Sequence, residues 1–248
     1  MKALITGANK GIGFAIAKIL GKSGIEILVG ARSENRGQEA VKKLSVQGIT
    51  ASFVKIDLNN FDTIHNAAKE IDQLDLLVNN AGIPDSHKAD RPDLDQKKAT
   101  FDYTTDDLRE TMKVNFFGTY EMIRSFLPKL AENGKIVNIT IPIQPNNFWH
   151  PLAYQTSKAA QNVMAMTYAL EFKNTGSSKQ IFGVMPGGVA TDLNGHAAGA
   201  LGALNGFIKS AEEAGELIAK LALDTENHNG QMIQFDGKIV TDYEVQLH

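Results

Sequence analysis

The chain has 248 residues, a formal net charge of −3 and 43% hydrophobic residues, which is enough apolar material for the core of one large domain. Its acidic balance excludes the basic surface that a nucleic-acid-binding protein needs, and the absence of cysteine excludes disulfides, thiolate metal sites and a cysteine nucleophile. No apolar run reaches the roughly 18 residues of a membrane span, and the sequence begins without a leader peptide. We therefore expect a cytoplasmic protein that binds neither nucleic acid nor membrane.

A strand, a glycine-rich turn and a helix are predicted in the first 24 residues. Lys2–Ile5 is a short apolar run typical of a buried strand, and from Phe14 the apolar residues follow helical spacing up to a C-cap at Gly24. Between them lies Thr6–Gly13, with the sequence Thr-Gly-Ala-Asn-Lys-Gly-Ile-Gly. Such a turn exposes backbone N–H groups at the positive end of a helix dipole, and its glycines let a pyrophosphate approach the backbone. The segment is predicted to bind phosphate groups.

Strands alternate with helices along the rest of the chain. Further strands are predicted at 25–32, 52–57, 74–79, 134–139, 180–185 and 231–235, and helices at 33–46, 61–71, 106–131, 153–173 and 211–223. This alternation predicts a doubly wound Rossmann-type α/β fold, in which helices flank a parallel seven-stranded sheet. We expect a single domain that spans residues 1–248.

Three segments between these elements are predicted to be irregular. Residues 84–103 have the composition of a polar loop, residues 141–151 form a loop interrupted by prolines, and Pro128 is expected to kink the end of the long helix. Residues 192–209 are rich in glycine and alanine, so few bulky side chains hold them in place. We expect this last segment to form a mobile lid over a substrate.

Tyr154 and Lys158 are four residues apart near the start of a predicted helix, so both side chains lie on one helix face. A tyrosine with an ordinary pKa near ~10 is a poor acid or base at neutral pH. A neighbouring ammonium favours the phenolate and lowers that pKa. The pair is therefore a candidate for proton transfer.

Together with other motifs, this pair makes the sequence similar to the short-chain dehydrogenase/reductase family over essentially the whole chain. The matching segments are Thr6–Gly13, Asp57, Asn79–Gly82, Asn115, Tyr154–Lys158 and Pro186–Gly187 followed by Thr191. The runs Ala31–Gln38 and Asn9–Gly13 resemble the carbonyl-reductase branch in particular.

The resemblance implies a role for each motif. Tyr154 would donate a proton to a carbonyl oxygen as hydride arrives, and Lys158 would hold the ribose hydroxyls. Asn115 would interrupt its helix locally and bind a water that feeds protons towards Lys158. By the same resemblance, the cofactor would be bound by Gly7, Asn9, Lys10, Gly11, Ile12, Gly13, Arg32, Asp57, Leu58, Asn80, Ala81, Gly82, Tyr154, Lys158, Pro186, Gly187, Val189 and Thr191.

The residues that end the second predicted strand favour NADP(H) as the cofactor. A protein that prefers the unphosphorylated cofactor usually has an acidic residue there, about 20 residues beyond the glycine turn, to bind the ribose 2′-hydroxyl. Here the position is held by Ala31 and then Arg32. Arg32 can bind a 2′-phosphate through two hydrogen bonds and Lys10 adds a second cation, whereas a carboxylate would repel the phosphate.

One position departs from the family pattern. The resemblance places a substrate-binding serine three residues after Asn138, and that residue is Ile141. Thr140 carries a hydroxyl, but neighbours on an extended chain point to opposite sides, so Thr140 can substitute only if the backbone turns there. Pro142 makes such a turn conceivable. Other donors in the same loop are Gln144, Asn146, Asn147 and His150.

Two functions remain open at this point. The first is an NADPH-dependent reductase of a ketone, aldehyde or quinone. Its catalytic residues would be Asn115, Thr140, Tyr154 and Lys158. The second is a slow or inactive NADP(H)-binding protein, such as a redox sensor, in which Ile141 has replaced a needed hydroxyl. A nucleotide-sugar epimerase is disfavoured because little chain follows Thr191, and the histidine spacing predicts no metal site.

The segment before the tyrosine bears on assembly. Monomeric carbonyl reductases of the family carry a long insertion there, whereas only residues 142–153 separate Ile141 from Tyr154 in this chain. The faces of the 106–131 and 153–173 helices are therefore expected to pair with a second subunit. We expect a homodimer or homotetramer that binds a small-molecule carbonyl substrate.

Overall fold

The structure is a computed structural model that describes residues 1–84, 99–143, 145, 151–189 and 208–240. Its strands are β1 (Lys2–Thr6), β2 (Glu26–Ala31), β3 (Ala51–Lys55), β4 (Leu74–Asn79), β5 (Leu130–Ile139), β6 (Gln180–Met185), β7 (Gly188–Val189), β8 (Ile208–Lys209) and β9 (Met232–Gln234). Its α-helices are α1 (Gly11–Lys22), α2 (Glu34–Ser45), α3 (Phe61–Glu70), α4 (Thr105–Met112), α5 (Thr119–Phe126), α6 (Leu152–Asn174) and α7 (Ala211–Leu223). A π-helical turn (Lys113–Gly118) joins α4 to α5, and 3₁₀ turns lie at Thr100–Asp102 and Leu127–Lys129.

Seven of these strands form one parallel sheet in the order β3-β2-β1-β4-β5-β6-β9. The strand order reverses at β1, because β2 and β3 lie on one side of it while β4, β5 and β6 lie on the other. A reversal of this kind leaves a crevice at the carboxyl ends of β1 and β4, where open α/β sheets bind their ligands. The predicted α/β fold with a seven-stranded parallel sheet is confirmed.

Alternate residues of the central strands face two separate apolar cores. In β1, Ile5 belongs to the core that includes residues of α1, α2 and α7, whereas Leu4 belongs to the core that includes residues of α3, α5 and α6. In β4, Val78 and Leu77 divide in the same way. Because helices cover both faces of the sheet, its strands are continuous apolar runs rather than alternating ones.

The helix predicted over 106–131 ends earlier than predicted. α5 ends at Phe126, and the next three residues tighten into a 3₁₀ turn, because Pro128 has no N–H to donate to a helix. Leu130 already belongs to β5, which was predicted to begin at 134. The pairing of β5 with β4 shifts register early in the strand, and this irregularity interrupts the apolar pattern that marks a strand.

The glycine-rich stretch after β6 contains two strands that were not predicted. β7 and β8 pair in parallel, with Gly188 opposite Ile208 and Val189 opposite Lys209. Strands of two residues are too short to show an alternating pattern in the sequence. The predicted lid at 192–209 therefore ends in β8, while its residues 192–207 lie outside the described part of the chain. Among the described helices, none is both long and apolar enough to cross a membrane.

Candidate active site

The glycine turn packs closely against Asn80 and Ala81, the residues that follow β4. Gly7 and Gly11 adopt φ angles of 69° and 56°, which favour glycine. A Cβ atom on Gly13 would lie 2.5 Å from Asn80 Nδ2 and 2.6 Å from Gly7 O, so a side chain there would collide with its neighbours. Because Gly13 has no side chain, α1 can begin this close to Gly7 and Asn80, and the first N–H groups of a helix have no partner within the helix. This is the environment that a phosphate group requires.

A threonine hydroxyl fixes the segment after β4. Thr6 Oγ1 accepts hydrogen bonds from the backbone N–H groups of Asn80 and Ala81, each at 3.0 Å. Asn80 Nδ2 in turn donates to Thr6 O at 2.9 Å. Two residues further on, a Cβ atom on Gly82 would lie 3.1 Å from Asn115 Oδ1 and 3.9 Å from Lys158 Nζ. The segment from Asn80 to Gly82 therefore contacts the glycine turn at one end and the predicted catalytic residues at the other.

The predicted adenosine-side residues lie at the carboxyl ends of β2 and β3. Arg32 directly follows β2 and is exposed, and its backbone oxygen accepts a hydrogen bond from Lys55 Nζ at 2.7 Å. Lys10, the N-cap residue of α1, is also exposed. Asp57 Oδ1 accepts from the backbone N–H of Asn59 at 3.0 Å, which holds the turn after β3. Leu58 is buried, and its contact with Gly118 is close enough that a Cβ atom on that glycine would lie 2.6 Å from Leu58 Cβ.

Tyr154 and Lys158 lie in the first turns of α6, which begins after Pro151. Their side chains share one face of the helix, as the spacing predicts, and Lys158 Nζ lies 5.8 Å from the centroid of the Tyr154 ring. Both residues are buried, Tyr154 with 8% and Lys158 with 3% of its surface exposed. The ammonium donates hydrogen bonds to Ile139 O at 2.7 Å and to Gln161 Oε1 at 3.0 Å. Burial lowers the pKa of Lys158 to about 8.

Asn115 lies in the π-helical turn, so the predicted local interruption of its helix is confirmed. Its side chain is fully buried and holds the segment after β4 by two bonds: Oδ1 accepts from Ile83 N at 2.8 Å, and Nδ2 donates to Ile83 O at 2.9 Å. Nδ2 also lies 3.0 Å from Ser157 Oγ, which itself donates to Tyr154 O at 2.7 Å. Asn115 therefore connects the cofactor side of the crevice to the helix that carries the tyrosine. The water that it was expected to bind stays a prediction.

Thr140 points into the protein rather than into the crevice. Only 1% of its surface is exposed, and its hydroxyl donates to Asn162 Oδ1 on α6 at 2.6 Å. Asn162 Nδ2 also donates to Ile141 O at 3.3 Å, which fixes the backbone after β5. To contact a substrate, Thr140 would have to give up its bond to Asn162, so its catalytic role stays a prediction. The alternative donors Gln144, Asn146, Asn147 and His150 lie outside the described residues.

The predicted nicotinamide-side residues follow β6. Pro186 is buried, Gly187 adopts a φ angle of 81°, and Val189 is buried in β7. Thr191 lies outside the described part of the chain. Across the residues that the structure does describe, no group of three or more His, Asp or Glu side chains is arranged to hold a metal ion.

Several residues of this region were missed in the sequence. The Thr6 hydroxyl bonds the segment after β4 to β1. Lys55 adds a third cation beside Arg32, and Ser157 joins Asn115 to α6. Gln161 bonds Lys158 directly. Its signal in the sequence is a long amide one helical turn after Lys158, on the same face.

Comparisons with known proteins identify the family to which the chain belongs. The sequence model of the short chain dehydrogenase family matches residues 1–200. Carbonyl reductase (NADPH) 1 of Mus musculus is 31% identical in an alignment of 283 positions, gaps included, that covers 94% of this chain and 95% of the mouse protein. The Homo sapiens carbonyl reductase (NADPH) 1 is 29% identical, with 93% and 95% of the two chains covered.

Solved structures give the same result. A short chain dehydrogenase from Burkholderia cenocepacia in complex with NADP is 27% identical with a TM-score of 0.78, covering 95% of this chain and 96% of the other. A blue fluorescent protein from a metagenomic library, in complex with NADPH, is 26% identical with the same TM-score and the same coverage. With a family model that matches most of the sequence and relatives aligned over nearly its whole length, the chain belongs to the short chain dehydrogenase family.

Proposed function

We propose that the protein is a reductase that uses NADPH to convert a carbonyl group into an alcohol. The observation that carries this proposal is the position of the Asn80–Gly82 segment, which contacts the bare glycine turn at one end and lies beside Lys158 at the other. A dinucleotide that follows this segment would extend from the turn to the ammonium and reach the phenol of Tyr154. Hydride transfer with proton donation needs these two parts of the site together.

The cofactor of this proposal is NADP(H). The matched mouse and human relatives are named as NADPH enzymes, and matched structures of about the same size hold NADP or NADPH. In this chain the bare first turn of α1 fits a pyrophosphate. Arg32 and Lys10 provide the cations for a 2′-phosphate, and Lys55 places a further ammonium beside Arg32. When bound, NADPH supplies the hydride.

The proton is supplied by Tyr154, which donates it to the carbonyl oxygen as negative charge develops there. Lys158 has three N–H donors, of which two bond Ile139 O and Gln161 Oε1, and the third is available for a ribose hydroxyl. Its positive charge favours the tyrosinate that remains after proton transfer. Asn115 fixes the segment after β4 relative to α6 through its bonds to Ile83 O and Ser157 Oγ.

The second candidate function, an NADP(H)-binding sensor with little activity, is favoured by the region after β5. Ile141 has no hydroxyl, and the hydroxyl of Thr140 is bonded to Asn162. Loss of one hydrogen bond to a developing oxyanion costs on the order of 3 kcal/mol, or 10²- to 10³-fold in rate, which weakens a reductase without abolishing it.

NADPH oxidation with a panel of diketones, quinones and keto esters separates the two functions. We expect the parent chain to oxidise NADPH with at least some of these compounds, and Ile141→Ser to be faster by up to the factor above. No turnover in the parent with a large gain in Ile141→Ser would support the sensor instead.

We also propose that the protein forms a homodimer in the cytoplasm through α5 and α6. Phe117 and Tyr120, in and just after the π-helical turn, and Val163 and Leu170 on α6 are large apolar side chains that are exposed in the isolated chain. The mouse alignment spans 283 residues against the 248 of this chain, so that relative contains residues without a counterpart here. Light scattering tests the proposal: we expect a dimer that becomes a monomer in Val163→Glu, and a monomeric parent would contradict it.

A further inference from the structure

Gln161 spans the space between the catalytic lysine and the π-helical turn. It lies one turn after Lys158 on α6, and 1% of its surface is exposed. Its Oε1 accepts a hydrogen bond from Lys158 Nζ at 3.0 Å. Its Nε2 donates to Thr119 Oγ1 at 2.8 Å and to the backbone oxygen of Asn115. All parts of this amide are therefore used, and it joins the ammonium of Lys158 to the turn that carries Asn115.

We propose that Gln161 is a positioning residue that fixes the Lys158 ammonium against the π-helical turn and sets its affinity for a proton. The orientation of the amide follows from its partners. Asn115 O is an acceptor, so the NH₂ group of Gln161 must face it, and this leaves Oε1 towards the lysine. The amide could not reverse without placing its oxygen against that backbone oxygen. A fixed acceptor at this point holds one of the three ammonium protons in a single direction.

Burial and hydrogen bonding act on the pKa of Lys158 in opposite directions. Burial disfavours the ammonium and lowers its pKa to about 8, so the charge that assists Tyr154 is held weakly. An acceptor that bonds the charged form favours it and works in the opposite direction. Within the described part of the chain, the two acceptors are Ile139 O, which no side-chain substitution removes, and Gln161 Oε1. Gln161 is thus the acceptor whose substitution is expected to change the pKa of Lys158.

Among the residues that the structure describes, the other groups that face Lys158 are neutral or belong to its own helix. Tyr154 is the titratable neighbour, on α6 itself. From the strand side the ammonium meets Ile139 O, and from the segment after β4 it faces the backbone of Gly82. Asn115 and Thr119, which hold the far end of Gln161, carry no charge. Burial is therefore the cause of the lowered pKa of Lys158, and no carboxylate among the described residues contributes to it.

Two substitutions of Gln161 that keep most of its volume are expected to shift the pKa of Lys158 in opposite directions. Gln161→Glu places a carboxylate oxygen beside the ammonium, so the ammonium gains an opposite charge and its pKa rises, while the second oxygen replaces the NH₂ group and the bonds donated to Asn115 O and Thr119 Oγ1 are lost. Gln161→Leu removes the acceptor while keeping most of the volume, so the pKa falls. For each change we expect a shift of about one pH unit or more. Asn162→Leu is the matched control, because Asn162 is equally buried on α6 but bonds Thr140 and Ile141 O rather than Lys158.

The direct measurement is a pH titration of the Lys158 side chain by NMR in protein labelled with ¹³C-lysine. The Lys158 signal is identified by its absence in Lys158→Arg, and the fold of each variant is checked by circular dichroism. We expect the Lys158 pKa to follow the order Gln161→Glu, parent, Gln161→Leu from high to low, with Asn162→Leu equal to the parent. Equal pKa values in both Gln161 variants and the parent, or the same fall in Asn162→Leu as in Gln161→Leu, would overturn the proposal. If the leucine variant does not fold, the glutamate variant decides alone.

The effect on catalysis rests on the proposed function and is measured separately. In steady-state assays of kcat against pH, we expect the pH at which kcat falls on the alkaline side to follow the same order of variants as the Lys158 pKa. A structural role for Gln161 would lower activity at every pH without shifting the pH of that fall. If the parent oxidises no NADPH with any carbonyl compound, the proposed function fails, while the titration of Lys158 still decides the role of Gln161.

Discussion

Tyr154 is the group on which the proposed proton transfer depends, and its replacement by phenylalanine keeps the ring that packs at the start of α6. We expect Tyr154→Phe to lower kcat by roughly 10²- to 10⁴-fold, the usual contribution of a general acid. NADPH affinity should stay within a few-fold of the parent, because the ring and Lys158 remain. Steady-state kinetics and calorimetry test the two parts. Parental turnover in this variant would show that another group supplies the proton.

Arg32 is the residue that we expect to select the phosphorylated cofactor. Its side chain is exposed at the end of β2, where it can form two hydrogen bonds to a 2′-phosphate. Arg32→Ala should weaken NADPH binding by about 100-fold or more, because each of the two hydrogen bonds to a charged group contributes roughly 1.5–3 kcal/mol. NADH binding should hardly change.

Arg109→Ala is a suitable control for this experiment, since Arg109 is an exposed arginine that pairs with Asp106 on α4. It should leave both affinities as they are. Unchanged NADPH affinity in Arg32→Ala, or NADH binding as tight as NADPH binding in the parent, would contradict the assignment.

The individual residues of the site were predictable to the extent that their chemistry is local in sequence. Tyr154 and Lys158 are one helical turn apart, so a helix alone places them on one face. Gln161 lies three residues after Lys158, which also places it on this face, but its importance arises from the oxygen of Asn115, 46 residues away in sequence. The bond from Thr140 to Asn162 is a tertiary contact of the same kind. Such pairings depend on how α6 rests on the sheet, which the spacing of residues does not specify.

At the scale of the elements, the glycine turn depends on the absence of one side chain. Gly13→Ala would place a methyl group 2.5 Å from Asn80 Nδ2 and 2.6 Å from Gly7 O, so the first turn of α1 or the segment after β4 must move. We expect NADPH affinity to fall by more than about tenfold, which corresponds to roughly 1.4 kcal/mol. Calorimetric titration of the folded variant gives this value.

Gly24→Ala separates loss of stability from loss of binding. Gly24 has a φ angle of 84° and open space around it, at the far end of α1 from the turn. An alanine there should cost about 1–2 kcal/mol of stability through backbone strain and leave NADPH affinity unchanged. If Gly13→Ala binds NADPH as the parent does, the turn does not approach the pyrophosphate in the way proposed.

Most elements were predictable because burial on both faces of the sheet produces short, continuous apolar runs between glycine or polar boundaries. β4, β6 and α7 have the predicted bounds, and the ends of β1, β2 and β3 differ from the prediction by one or two residues. The start of β5 and the pair formed by β7 and β8 were missed. The register shift beside β4 and the two-residue length of those strands leave no periodic pattern to detect.

At the scale of the whole molecule, a half-buried polar cluster links β5, the end of α7 and the connection to β9. Lys135 on β5 donates to Asp224 O at 2.7 Å, and His228 Nε2 lies 2.9 Å from Asp224 Oδ2. Asp224 ends α7, and His228 lies in the connection to β9. Burial by itself raises the pKa of the Asp224 carboxyl. The hydrogen bonds and charges of His228 and Lys135 outweigh it and hold the pKa below its ordinary value.

The sign of this shift predicts how stability depends on pH. Because the pKa of Asp224 is lower in the folded chain, its contribution is present above its unfolded pKa of about 3.9 and is lost as the pH falls through the folded value. Asp224→Asn should therefore lower the free energy of unfolding by roughly 1–3 kcal/mol at neutral pH and by less in acid. Urea denaturation at pH values on both sides of this range measures the difference.

Asp236→Asn removes a carboxylate from an ion pair with Lys238 that lies near the surface, and it should change stability little at any pH. An equal cost of Asp224→Asn at neutral and acidic pH would show that the cluster contributes packing rather than charge.

In the proposed active site, one crevice holds the glycine turn, Lys158 and Tyr154 around a single dinucleotide. The measurement that tests this most directly is a crystal structure of the protein with NADP⁺. We predict a pyrophosphate on the first turn of α1, a ribose hydroxyl bonded to Lys158 Nζ, and a nicotinamide ring within about 5 Å of the Tyr154 hydroxyl, close enough for a substrate carbonyl to contact both. A nicotinamide ring bound away from Tyr154, or crystals that take up no dinucleotide at saturating concentration, would contradict the claim.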